Sequence, residues 1–174
     1  MILEICDRSE LKRWRKEIHA NSAASVSALK ALGGDPLEFL SKVKFEAIGR
    51  HPMENRPLNF IEQLSQTFTY LVALNATDLL FDWHPEANGF RLAPGAHAPK
   101  GTLDIESRNP GLVGAETFAA PPKNNRKLAR DLEKLSERSE RFRYVFFNAP
   151  EFCETGRHKA LERSGVQVWS VGLA

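Results

Sequence analysis

The chain of 174 residues, with hydrophobic residues at 42%, charged residues at 26% and a net charge of +2, has the make-up of one globular domain. That composition excludes a disordered chain, and the near-neutral charge neither requires nor forbids a nucleic-acid partner. The two cysteines, Cys6 and Cys153, form no CxxC or Cys/His pattern, so neither a disulfide framework nor a zinc site is expected.

The amino terminus, "MILEICDRSELKRWRK", carries Glu4 and turns densely charged from Asp7, which is not a signal-peptide core. No run approaches the roughly 20 apolar residues that span a bilayer. A cytoplasmic protein with no membrane partner is therefore expected. Asp7, with Glu10 three residues on, reads as a helix start. Leu11, Trp14, Ile18, Val26 and Leu29 then recur at helical spacing, and Gly33-Gly34 stop the helix. Lys12, Arg13, Arg15 and Lys16 surround Trp14, either as a phosphate-holding patch or as a solvated face beside a buried ring. Asp35-Pro36 opens a second helix, which Gly49 and Pro52 close. "LNFIEQLSQTFTYLVAL" (58–74) reads as a third helix with a core stripe of Ile61, Leu64, Phe68, Leu71 and Val72. Glu62, Gln66 and Thr69 form its polar line. His51, His84 and His97, each beside or near a proline, are expected to face solvent.

From residue 78 the period changes. "DLLFDWH" (78–84) and "GFRLA" (89–93) flank Asn88-Gly89 as a hairpin. "GTLDIES" alternates and "LVGAETFAA" (112–120) follows the turn "RNPG", giving two further strands. A helix over 124–139 turns Leu128, Leu132 and Leu135 inward, with Asn124 or Asn125 as its cap. "RYVFFNAP" (143–150) reads as a strand buried on both faces. A short helix at 154–164 and a strand at 166–171 complete the chain. Three helices, a meander and then αβαβ predict an α/β sandwich with a mixed central sheet. Residues 1–56 would be a helical extension packed on a core of 57–174.

Pairing of the strands across "RNPG" brings Asp104 and Glu116 together, as a hard divalent ion requires. Such an ion activates water and stabilises the leaving oxygen of a phosphodiester. With Glu62 on the preceding helix and the acids twelve residues apart, followed by helix, strand, helix and strand, residues 57–171 resemble the PD-(D/E)XK nuclease superfamily. The resemblance implies a three-layer α/β/α, restriction-endonuclease-like fold and magnesium- or manganese-dependent cleavage of nucleic acid, most simply DNA, by a monomer or a homodimer. It implies Asp104, Glu116 and Glu62 as metal ligands and catalytic acids. The family's motif lysine is replaced by Phe118. Lys127 is the preferred substitute, with Lys123 next, and Lys123, Asn125, Arg126, Arg91 and Lys100 become candidate nucleic-acid contacts. Two alternatives keep the sequence and drop the chemistry. One is a degenerate nuclease-like domain that binds nucleic acid or a protein; the other is a small interaction protein whose acids are surface charges. Asp131, Glu133 and Glu137 are the competing partners for the basic residues of the same helix.

Overall fold

The computed structural model describes residues 2–95, 101–123 and 126–173. Its first element is a strand, β1 (Leu3–Ile5), where the sequence suggested no strand. Helix α1 (Arg8–Lys30) begins as expected: the Asp7 carboxylate accepts from the amides of Ser9 and Glu10, and the Glu10 carboxylate reaches back to the Cys6 amide. Its serine-rich middle is helical, and Ser25 and Ser27 turn their hydroxyls onto the carbonyls four residues back, which satisfies them without a break in the helix. Leu11 and Ile18 are buried, whereas Val26 is exposed, so the apolar face covers only the helix's first part.

Helix α2 (Pro36–Phe45) buries no residue and leaves Leu37, Leu40 and Phe45 exposed. The short strands β2 (Gly49–Arg50) and β3 (Pro57–Leu58) pair and close a loop over α1. His51 lies inside that loop, buried rather than solvent-facing. Its Nδ1 accepts from the amides of Met53 and Glu54, and its ring meets Tyr70 edge-on. Buried amide side chains fix the loop: Asn21 donates to the Pro52 carbonyl and Gln63 accepts from the Arg50 amide.

Helix α3 (Phe60–Trp83) is longer than the sequence pattern suggested, and the strand expected at 78–84 does not exist. Leu74, Thr77 and Leu80 are buried at three-residue steps, while Asp78 and Asp82 turn outward to Arg8. These contacts select the helix over the β propensity of a short apolar run. Pro85 ends it, with His84 as a non-helical C-cap. His84 is also buried, its Nε2 2.7 Å from the Tyr144 hydroxyl. The expected stripe on α3 is rotated. Val72 is in the core, but Ile61, Leu64 and Phe68 are exposed.

A single 3-10 turn and the left-handed Asn88 lead into β4 (Phe90–Leu92), so Asn88-Gly89 is a turn but not a hairpin loop. Gly89 is required there: its φ is +98°, and a Cβ would stand 2.7 Å from the Ile5 carbonyl oxygen. Then come β5 (Ile105–Ser107), β6 (Val113–Ala119), α4 (Lys127–Ser136), β7 (Phe142–Asn148), β8 (Gly156–Arg157) and β9 (Gln167–Ser170). The helix expected at 154–164 is replaced by β8 and a 3-10 turn. Gly156 and Arg157 extend along β9, and the Arg157–Glu162 ion pair and the His158–Ser170 contact hold the segment there.

The seven strands form one mixed sheet in the order β1-β4-β5-β6-β7-β9-β8. β6, β7 and β9 are parallel, and the other pairs are antiparallel. β7 is apolar on both faces, as its sequence required. Tyr144 and Phe146 pack with α3, while Val145 and Phe147 pack with α4. Helices thus cover both faces of the sheet, α1 and α3 on one and α4 on the other. Because β1 belongs to the sheet, the first 56 residues are not wholly helical. Among the described residues no helix is long and apolar enough to cross a membrane.

Candidate active site

β5 and β6 pair with Ile105 opposite Ala115, a register that carries Asp104 to the level of Glu116. Asp104 is 9% exposed, and its Oδ2 accepts from the Thr117 amide at 2.7 Å and the Thr117 hydroxyl at 3.0 Å. Glu116, 4% exposed, points toward α4. Lys134 donates to Glu116 Oε1 at 2.6 Å and to the Thr102 carbonyl at 2.8 Å. From the first turn of α4, Lys127 reaches back over the strand. Its Nζ lies 3.9 Å from Glu116 Oε2 and donates to Asp131 Oδ1 at 2.7 Å.

Asp131 is the surprise of the group. It is 4% exposed, and its Oδ2 has no hydrogen-bond partner among the described residues. Lys127, Asp131 and Lys134 stand at i, i+4 and i+7, a charged ridge beside the buried row Leu128, Leu132 and Leu135. That spacing is the signal in the sequence. The sequence offers Asp131 as a partner for the basic residues of its helix, and Lys127 takes it; the reach of Lys134 to Glu116 goes unread when the helix is scanned only for its apolar face.

Burial pushes the Asp104 carboxyl above the usual range against the pull of the Thr117 amide and of Lys127. Burial, and then the charge of Asp104, raises Glu116 despite Lys134. Burial raises Asp131 to about 6, opposed by its bond from Lys127. Three carboxylates face two ammonium groups, so full ionisation leaves one negative charge in excess. A proton or a further cation at the cluster offsets it.

The donor chemistry fits a small hard cation. Asp104 and Glu116 are neighbouring carboxylates, and a magnesium-type ion needs only one or two of these, with waters and substrate phosphate filling the rest. Among the described residues no three His, Cys, Asp or Glu side chains are arranged to hold an ion, so Glu62 does not complete a trio with the two strand acids. Glu62 is exposed in the first turn of α3, where its amide is capped by Asn59. On α3, Tyr70 is buried. Burial raises its hydroxyl to about 12, and the charges of Glu54 and Asp104 add to that.

Phe118 does not stand in an open cleft. It is 5% exposed, stacked on Phe147 with centroids 5.7 Å apart, and belongs to the core beneath α4. Lys123 and Arg126 are exposed just ahead of α4, with Arg126 in the left-handed conformation. Arg91 is exposed on β4, opposite Glu4 and Glu106 of the flanking strands in register, and those two acids are ion-paired to Arg108 and Arg138. Asn125, Lys100, Asn124 and His97 lie outside the described residues. In the basic amino-terminal patch, Arg15 is held by Asn75 and Asp78, and Arg13 lies over the Trp14 ring. Comparison with family models, with curated proteins and with solved structures found no match to this chain.

Proposed function

We propose that the protein is a metal-dependent phosphodiesterase acting on DNA, built on a restriction-endonuclease-like core. The observation that carries this reading is Lys127. A chain that puts Phe118 where the family has its lysine supplies an ammonium group from the next helix, 3.9 Å from the motif glutamate. Magnesium or manganese held by Asp104 and Glu116 would supply Lewis-acid stabilisation of the phosphate oxygens and a more acidic attacking water.

The chain's own residues do the rest. The Thr117 amide and hydroxyl fix one oxygen of Asp104 and leave the other to bind. Asp131 restrains Lys127, so the ammonium is positioned before substrate arrives and little reorganisation is needed at the transition state. Lys123 and Arg126, exposed ahead of α4, extend the positive edge along which a strand backbone would run. Glu62 is left out, being exposed and not grouped with the two acids.

Single- and double-stranded DNA incubated with magnesium or manganese tests the proposal. Wild type should cut. Asp104→Asn and Glu116→Gln should abolish cutting, and Lys127→Met should slow it by about a hundredfold or more while leaving the fold intact. Equal cutting by wild type and Asp104→Asn would refute it.

Lys134 favours a second reading, a nuclease-like domain that binds nucleic acid or a protein without cutting. With Lys134 on Glu116 and Lys127 on Asp131, two of the three acids already have cationic partners. Metal-independent binding by a protein that cuts no substrate would select that reading.

A further inference from the structure

Helix α2 rests on the protein by one side and turns the other to solvent. Phe39 and Val43, half-buried and four residues apart, mark its inner side, and α2 packs on α3. Leu37, Leu40 and Phe45 point outward. On the first half of α3, Gln63 and Tyr70 turn inward, whereas Ile61, Leu64 and Phe68, at i, i+3 and i+7, form an outward row. These six residues range from 42% exposed at Phe68 to 77% at Leu37. With roughly 200 Å² for a fully exposed residue of this size, they present about 650 Å² of surface. The largest apolar patch of an ordinary monomer is smaller, about 300 to 600 Å². Leu64, Ser65, Phe68 and Thr69 also border a hollow of about 400 Å³ against the end of β6, a recess that can seat a partner's side chain.

The spacing of Ile61, Leu64 and Phe68 is that of a core stripe, and no part of the described chain covers it. We infer that a second copy of the chain does, with α2 and α3 of each copy packed on the same helices of the other about a two-fold axis. The area fits. A standard interface takes about 800 Å² from each partner, and the exposed Ser41, Lys44, Glu62 and Ser65 on the same helices supply what the apolar six do not. An apolar centre with a polar rim is the make-up of such interfaces. The charges fit as well. Glu38, Glu46 and Glu62 stand with Lys42 and Lys44 on these elements, so each copy brings both signs to a self-complementary contact. That balance disfavours an anionic lipid surface or a nucleic-acid backbone, both of which call for an excess of cations. The inference is independent of the phosphodiesterase reading.

The test is sedimentation of the full chain over a concentration series, in reductant so that the exposed Cys6 and Cys153 cannot link copies. Wild type should be a dimer at about 50 μM. Leu37→Lys combined with Leu64→Lys should raise the dissociation constant about thirtyfold or more and leave the circular dichroism spectrum unchanged. Leu37→Ala combined with Phe45→Ala introduces no charge and should weaken association in the same direction. Both residues are mostly exposed, so their truncation spares the core. A wild type that stays monomeric at that concentration, or a dimer that both double variants leave intact, would overturn the inference. Monomers that bind anionic lipid vesicles through Leu37 and Phe45 would assign the face to a membrane surface and overturn it too.

Discussion

Replacing Asp131 by Asn keeps a carbonyl oxygen for Lys127 and removes the buried charge. Burial raises the Asp131 carboxyl from its ordinary 3.8 to about 6, even with Lys127 2.7 Å away. In the unfolded chain it loses its proton near the ordinary value, and in the folded protein only near 6. Between those pH values the folded state binds the extra proton, so stability falls as pH rises through the window. The gap corresponds to about 3 kcal/mol, fully present as stabilisation below pH 4 and lost by pH 7. Urea unfolding of wild type and Asp131→Asn at several pH values reads this contribution together with the smaller change in Asp104, which the charge of Asp131 also raises. The stability difference should move in the variant's favour by about 3 kcal/mol between pH 4 and pH 7. Parallel stability profiles would refute the argument and show that Lys127 neutralises Asp131 without strain.

Phe118→Lys, which would write the lysine of the resembled PD-(D/E)XK motif into the chain, should destabilise by about 3 kcal/mol or more and add no cleavage, because the position is core; thermal unfolding and a cleavage assay check both. Asp7→Ala removes the acceptor for two first-turn amides and should lower the midpoint of chemical denaturation. Tyr144→Phe leaves buried His84 without its 2.7 Å partner and should cost about 1 to 2 kcal/mol, read in the same way.

The acids were legible because β5 and β6 are a short antiparallel pair, where alternation and a tight turn determine which side chains meet. Lys127 was legible because a helix beginning just after a strand must fold back over it. The pairing of Asp131 with a basic residue of its own helix was legible too, and Lys127 makes it; the burial of Asp131 and the reach of Lys134 to Glu116 were not, since acidic and basic residues at helical spacing look alike whether solvated or turned inward. Only α4 packing on β6 decides that. β1 was missed because Leu3-Glu4-Ile5 alternates over only three residues, too short a run to mark a strand, and pairing with β4 holds it. The end of α3 was misread for the opposite reason: "DLLFDW" suits a strand locally, and contacts with Arg8 and the core override that preference. The same rotation of α3 that disappointed the expected stripe exposes Leu64 and Phe68.

The measurement that bears most directly on the central claim is manganese binding by calorimetry, with a short phosphorothioate strand present so that substrate oxygens can complete the coordination sphere. Wild type should bind the ion, and Asp104→Asn should lose that binding while folding normally. Equal binding by the two proteins, or none by wild type with the strand bound, would contradict a cation site at Asp104 and Glu116.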